Sequence, residues 1–260
     1  MSVTKITVED IAGFKGKAGS LAALTAYDFP TARILDDAGI PLILVGDSLG
    51  MVVLGYEDTT HVTMDDMIHH LKAVQRADPH ALLAVDLPYG TFSDPASAVE
   101  NAKRLVDAGA EAVKAEGGVV IADTVHAIVS EGIAFLGHLG MLPQSVKEIG
   151  GYRIYGKTDE EHLRLLDDGT ALVDAGAFAV VLELIQPEVA RDITQKIPIP
   201  TIGIGAGPWC DGQILVTPDL VKYAVGPVPR HVSPKADFAG DLARAIGQWM
   251  AEIREDGRNK

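Results

Sequence analysis

Three times along this chain an amphipathic, helix-like stretch runs into Asp-Ala-Gly and then into a short apolar segment. The three copies are Asp37-Ala38-Gly39, Asp107-Ala108-Gly109 and Asp174-Ala175-Gly176. A glycine just past a helix commonly takes the left-handed conformation that stops it, so each tripeptide marks a helix-to-strand junction. The glycines recur at intervals of roughly 70 residues, the length of two βα units of about 34 residues each. A chain of 260 residues holds about eight such units, the number that closes a (β/α)8 TIM barrel.

The apolar runs at 21–26, 41–45, 81–85, 112–115, 133–136, 177–184, 200–204 and 214–216 lack polar alternation, as strands buried on both faces do. Between them the periodicity predicts helices over 30–37, 64–77, 95–108, 122–130, 159–175 and 187–195. Asp94 before Pro95 reads as an N-cap with proline in the first turn, and Thr63 with Asp66 three residues on reads as an acidic helix start. An open doubly wound sheet would use the same alternation, but its glycine-rich phosphate fingerprint is absent. The stretch from Pro218 departs from the repeat, and 237–253 reads as one amphipathic helix. The expectation is therefore an α/β chain with a single barrel domain over residues 1–260, carrying a short N-terminal and a helical C-terminal extension.

Charge and cysteine content narrow the function. A net charge of -14 argues against nucleic acid and anionic membrane as partners. No apolar run approaches the roughly 20 residues of a membrane span, and the N-terminus lacks the apolar core of a signal peptide. One cysteine, Cys210, rules out an intrachain disulfide. A cytoplasmic protein is expected.

In a barrel, chemistry sits where strands end and βα loops begin. The polar residues at those points are Asp47 and Ser48, Asp86, Lys114 and Glu116, His138, and Glu183. A strand-end aspartate can cap a helix, and Asp47 before Ser48 is open to that reading. Three carboxylates converging from successive strands, Asp47, Asp86 and Glu116, would instead raise each other's pKa. A hard divalent cation relieves them, and oxygen ligands without cysteine or paired histidines favour Mg²⁺ over Zn²⁺. Lys114 and Glu116, two apart on one strand, face the same way, and Lys114 suits an anionic substrate or oxyanion. Glu183, alone in an apolar run, should have a raised pKa and suits a general base. His138 between glycines is either structural or catalytic. The run 203–207 is an anion nest or a tight turn, Cys210 reads as inert, and His69, His70 and the C-terminal helix read as solvated surface. A metal, a lysine and an isolated carboxylate together suit enolisation of a 2-oxo acid. The electrophile cannot be read from spacing.

Longer blocks carry a resemblance. Gly46-Asp47-Ser48-Leu49-Gly50-Met51-Val52-Val53-Leu54-Gly55-Tyr56, Asp86-Leu87-Pro88, Val113-Lys114-Ala115-Glu116-Gly117-Gly118, Gly137-His138-Leu139-Gly140-Met141-Leu142-Pro143-Gln144, Gly150-Gly151-Tyr152, Leu182-Glu183 and the segment 199–213 resemble the ketopantoate hydroxymethyltransferase family, in family order. The resemblance implies a barrel of the phosphoenolpyruvate/pyruvate type. It implies hydroxymethyl transfer from 5,10-methylenetetrahydrofolate to 3-methyl-2-oxobutanoate through a Mg²⁺-stabilised enolate, giving 2-dehydropantoate in pantothenate biosynthesis. Carried over, it makes Asp47, Asp86 and Glu116 the metal site, some of them through water. It makes Asp47, Ser48, Asp86 and Lys114 the oxo-acid contacts and Glu183 the proton acceptor, with His138 near the substrate. It also implies a homo-oligomer, described for the family as a decamer. Three regions depart from the pattern: Tyr89-Gly90-Thr91-Phe92 where Phe-Met is commoner, Thr60-His61 where Leu-Pro is frequent, and the stretch after Val225. Other readings of the same residues are a Mg²⁺-enolate barrel of the lyase or mutase type and an inactive ligand-binding barrel.

Overall fold

A computed structural model describes residues 4–224 and 226–258. Eight parallel strands, β1 (Leu21–Thr25), β2 (Leu42–Val45), β3 (Leu82–Asp86), β4 (Ala112–Lys114), β5 (Ala134–Gly140), β6 (Ala179–Glu183), β7 (Thr201–Ile204) and β8 (Gly212–Leu215), join in sequence order into a closed barrel. Between them run α1 (Phe29–Asp37), α2 (Met64–Gln75), α3 (Pro95–Asp107), α4 (Ala122–Ser130), α5 (Asp159–Asp174) and α6 (Pro187–Lys196). Short helices at Val8–Ala12, Leu49–Val52 and Val146–Ile149 decorate the connections.

The strands sort their side chains by parity, because successive side chains leave opposite faces. Leu42, Leu44, Leu82, Ala84, Ala112, Leu136, Ala179, Val181 and Ile202 fill the barrel interior as one buried cluster. Their neighbours Ile43, Val45, Leu83, Val85, Val113, Phe135, Val180 and Leu182 pack outward in a second cluster with Leu71, Leu105, Leu172 and Ile193 of the surrounding helices. Two buried layers on one short strand explain why the runs read as continuously apolar.

The expected junctions are in place. Gly39, Gly109 and Gly176 all have positive φ and follow the C-caps of α1, α3 and α5, and each interval between them spans two βα units. Thr63 and Asp66 form a capping box, and Asp94 caps α3 ahead of Pro95.

No helix separates the last two strands, and none was expected there. β7 and β8 are joined by the loop 205–211 alone, and β8 begins at Gly212, ahead of the expected 214. The seam is held instead by Asp211, a buried residue outside the expected set. Its carboxylate accepts from Gly16 N (2.8 Å), Thr201 N (2.9 Å) and Lys15 Nζ (3.2 Å). Its carbonyl accepts from Ser20 N and Leu21 N, at the start of β1. One side chain thus ties the N-terminal loop and β7 to the last strand.

The chain divides into two compact units, the first ending at Ile214 and the second starting at Leu215. The second holds a short helix, Thr217–Leu220, and α7 (Phe238–Arg258). α7 was expected as solvated surface. It is exposed, but it also presents Phe238, Leu242, Ile246, Trp249 and Ile253 along its length. No described helix is long and apolar enough to cross a membrane.

Asp211→Ala removes the shared acceptor and strands Thr201 N, which is buried. Leaving a buried donor without its acceptor costs about 1–3 kcal/mol, and urea unfolding is expected to show a loss of that size.

Candidate active site

The interior layer ends in charge. Asp86 continues the inward series Leu82, Ala84; Lys114 follows Ala112; His138 follows Leu136; Glu183 follows Ala179, Val181. All four stand at or near the carboxyl ends of their strands, where strand geometry aims them over the barrel mouth. Asp86 and Lys114 are register partners on β3 and β4. Asp47 comes two residues after β2, and Glu116 two after β4. Asp47, Asp86, Lys114, Glu116 and His138 are all buried, while the Glu183 side chain keeps 13% of its exposure.

Hydrogen bonds link these residues into one network. Lys114 Nζ donates to Asp86 Oδ1 (2.5 Å), and Asp47 N donates to Asp86 Oδ2 (3.0 Å). Asp47 Oδ2 accepts from Gln144 Nε2 (2.8 Å), and Glu116 Oε2 accepts from Gln144 N (3.0 Å). Asp47 therefore does not cap the helix Leu49–Val52; its N-cap position is Ser48, which makes no capping bond with its side chain. Ser48 Oγ instead shares a hydrogen bond with Tyr27 Oη (2.9 Å), and Tyr27 O is bonded to His70 Nδ1 (2.7 Å). His70, expected on the surface, is partly buried and braces this line.

Glu183 is aimed by its backbone. Leu184, the next residue, has φ +46, a left-handed conformation costing roughly 1–2 kcal/mol outside glycine. It is fixed on both sides, its N–H donating to Ile204 O and its carbonyl accepting from Tyr155 N. Across the seam with β5, Gly140 (φ +96) lies so close that an added Cβ would run into the Glu183 carbonyl. That carbonyl accepts from Met141 N (2.8 Å). Only glycine fits at 140, and the fit pins the base of Glu183.

The electrostatics follow from burying three carboxylates with one ammonium and setting Glu183 beside them. Burial first, and then the Asp86 charge, push Asp47 up to about 7, against the pull of Lys114 and Gln144. Burial and Asp47 push Glu116 well above the usual carboxylate range. Burial would lower the Lys114 pKa, but Asp86, Asp47 and Glu116 outweigh it and hold Lys114 charged above its ordinary value. Burial and Lys114 drive His138 well below the usual histidine range, so it is neutral. Its Nε2 lies 3.2 Å from Glu183 Oε2 and its Nδ1 3.7 Å from Glu116 Oε1. Neither approach has hydrogen-bond geometry, and both ring nitrogens are buried without a partner. At the mouth, burial and the charges of Glu183, Glu116 and Asp47 raise the Tyr152 hydroxyl.

Among the described residues no three side chains of His, Cys, Asp or Glu form a ready-made metal cage. Asp47 and Asp86 are joined directly, whereas Glu116 is drawn toward the Gln144 backbone. The donor set still fits a hard cation. Mg²⁺ typically takes only one or two carboxylates and fills its shell with water and substrate oxygens, and the upward shift of Asp47 and Glu116 registers a deficit of positive charge here. Gln144 and Tyr27 were not among the expected site residues. Gln144 closes a motif visible in the sequence, but a neutral amide gave no charge signal.

The remaining candidates lie elsewhere. The run 203–207 spans the end of β7 and the start of the loop toward β8, with Gly207 against Pro187. Cys210 is buried and burial pushes its thiol up, leaving it inert.

Residues 5–257 match the family model described as ketopantoate hydroxymethyltransferase, including the stretch after Val225 where the sequence pattern looked weak. A 3-methyl-2-oxobutanoate hydroxymethyltransferase of Dehalococcoides mccartyi (strain CBDB1) is 49% identical over 96% of this chain and 90% of its own length. One of Ignicoccus hospitalis is 48% identical over 96% and 95%. Among solved structures, phosphonopyruvate hydrolase in complex with oxalate and Mg²⁺ shares the fold at TM-score 0.62 and 13% identity, covering 96% of this chain and 87% of that one. Phosphoenolpyruvate phosphomutase from Streptomyces platensis subsp. rosaceus does so at TM-score 0.63 and 14% identity, covering 96% and 88%. Likeness at that distance shows the barrel type and nothing of the reaction.

The Asp47 shift has a measurable sign. The unfolded side chain titrates near 4 and the folded one at about 7. Between those values the native state holds the extra proton, so stability falls as pH rises and the cost is full above 7. In metal-free protein, Asp47→Asn is expected to raise the unfolding free energy by roughly 1–4 kcal/mol at about pH 8 and to change it little below about pH 4. Urea unfolding in EDTA at the two pH values checks this.

Proposed function

This chain is an enzyme of the ketopantoate hydroxymethyltransferase family, and we propose that it transfers a hydroxymethyl group from 5,10-methylenetetrahydrofolate to 3-methyl-2-oxobutanoate through an enolate, giving 2-dehydropantoate. The observation that carries the mechanism is the convergence of Glu183, His138, Lys114 and the Asp47–Asp86 pair on one barrel mouth.

Asp47 and Asp86 would hold a divalent cation, Mg²⁺ by the hardness of the donors, with Glu116 near it through water. When bound, that cation supplies Lewis acidity to the carboxylate and carbonyl oxygens of the oxo acid. The Mg²⁺ and oxalate in the phosphonopyruvate hydrolase complex support this pairing of ion and ligand. Ser48, fixed by Tyr27, donates to the substrate carboxylate. Lys114, kept charged by its neighbours, faces the negative charge that develops on the oxo oxygen. Glu183 takes the C3 proton. It is the least buried of the carboxylates and its backbone is locked on both sides. His138 stays neutral beside it and so does not quench its basicity. The C3 carbanion and water then replace the two nitrogen–carbon bonds of the folate methylene carbon, which becomes the hydroxymethyl group; the proton taken from C3 and the one released by water end on the two folate nitrogens, releasing tetrahydrofolate. The same reading makes the protein a cytoplasmic homo-oligomer, decameric as the family is; the exposed apolar side chains of α7 support assembly.

Proton NMR of 3-methyl-2-oxobutanoate in D₂O tests the mechanism. With protein and Mg²⁺ the C3 proton is expected to exchange, and EDTA is expected to stop it. Glu183→Gln is expected to slow exchange by about 10²–10⁴-fold, the usual worth of a general base. Adding methylenetetrahydrofolate should then yield 2-dehydropantoate. Exchange without that product would leave the enolate and refute the transfer; no exchange in folded, Mg²⁺-supplemented protein would refute both.

A further inference from the structure

Gln144 is buried in the 3-10 turn Pro143–Ser145 that follows β5, and it touches two of the site's carboxylates at once. Its backbone N–H donates to Glu116 Oε2 (3.0 Å). Its side-chain Nε2 donates to Asp47 Oδ2 (2.8 Å) and to Leu87 O (3.0 Å). The Leu87 carbonyl can only accept, so the amide sits one way round: nitrogen toward Leu87 O and Asp47, oxygen away. That leaves Oε1 buried with no donor. A buried acceptor without a partner is costly, and an apolar side chain of similar size would fill the turn more cheaply. Packing therefore does not account for a glutamine here.

What a neutral double donor does at this point is particular. Asp47 raises the affinity of Glu116 for a proton, while Asp86 and Glu183 raise that of Asp47. A lysine or arginine between Asp47 and Glu116 would quiet that repulsion by cancelling the charge. An amide holds one carboxylate by the side chain and the other by the main chain, fixes their separation, and cancels none of the negative charge.

We propose that Gln144 is a positioning residue that clamps Asp47 and Glu116 at a fixed separation while leaving their charge available to a divalent cation, with its free carbonyl oxygen accepting an O–H or N–H brought in by the loaded site. The inference rests on the cation reading of the site given above. It acts through Asp47, so the loss of the side chain should appear in cation affinity and in turnover and leave the fold intact.

The test uses Mn²⁺ as the probe ion, with free Mn²⁺ followed by electron paramagnetic resonance, on full-length wild type, Gln144→Met and Gln144→Asn. Methionine keeps the volume and loses both donors; asparagine keeps an amide one carbon too short to reach Asp47 from the same backbone. Both variants are expected to bind Mn²⁺ about 10- to 100-fold more weakly, the span of one hydrogen bond to a charged group, with thermal midpoints within a few degrees of wild type. Turnover is expected to fall more than the KM for the oxo acid rises. Mn²⁺ affinity within two-fold of wild type in either folded variant overturns the clamp alone. So does a loss of affinity that comes with a matching loss of thermal stability in both. Wild-type protein with no Mn²⁺ affinity overturns the cation reading itself, and the clamp with it.

Discussion

One buried ammonium facing four carboxylates governs this structure. Lys114 meets Asp86 across adjacent strands in exact register, so its position is set by the spacing of a β-sheet and not by a flexible loop. Asp47, Glu116 and Glu183 then gather round that pair, and the charge of Lys114 is held up by Asp86, Asp47 and Glu116 together. The barrel bears the cost. Its interior is a closed apolar layer with the charges confined to the top, where the strands end. The strain at Leu184 and the tight contact at Gly140 are part of the same cost, because both serve to hold a carboxylate where electrostatics alone would not keep it.

Much of this was legible in the sequence because the charged residues stand out against apolar strands. Asp86, Lys114 and Glu183 are visible as single polar letters at the ends of Val, Leu and Ala runs, and strand parity says they point inward. The Asp-Ala-Gly junctions give the period, and the period gives the number of strands. Where the signal failed, it did so for physical reasons. Nothing in 205–211 announces the part Asp211 plays, since the deciding contacts are long-range bonds from it to residues near the N-terminus. Gln144 and Tyr27 are neutral, and their roles depend on which carboxylate or hydroxyl the fold brings beside them. His70 looked like surface because its helix is amphipathic, and the backbone carbonyl it meets belongs to a different βα unit.

The competing readings separate on the same grounds. An inactive barrel has no use for three buried carboxylates and a fourth beside them at one mouth, and relatives nearly half identical over almost the whole chain are hydroxymethyltransferases. The lyases and mutases share the barrel and little sequence. That contrast leaves the likeness to speak for the fold alone, since one fold hosts many reactions.

The seam at Asp211 also sets the order in which the molecule can be completed during translation. β1 leaves the ribosome early and waits with an unpaired edge while seven more strands are made. The residue that ties the N-terminal loop and β7 to the last strand is among the last of the barrel to emerge. Until then the nascent sheet is an open ribbon with two bare edges, the form most exposed to pairing with a neighbouring chain. Chaperone capture would be most useful in that interval, which ends with the synthesis of a single aspartate and the strand behind it.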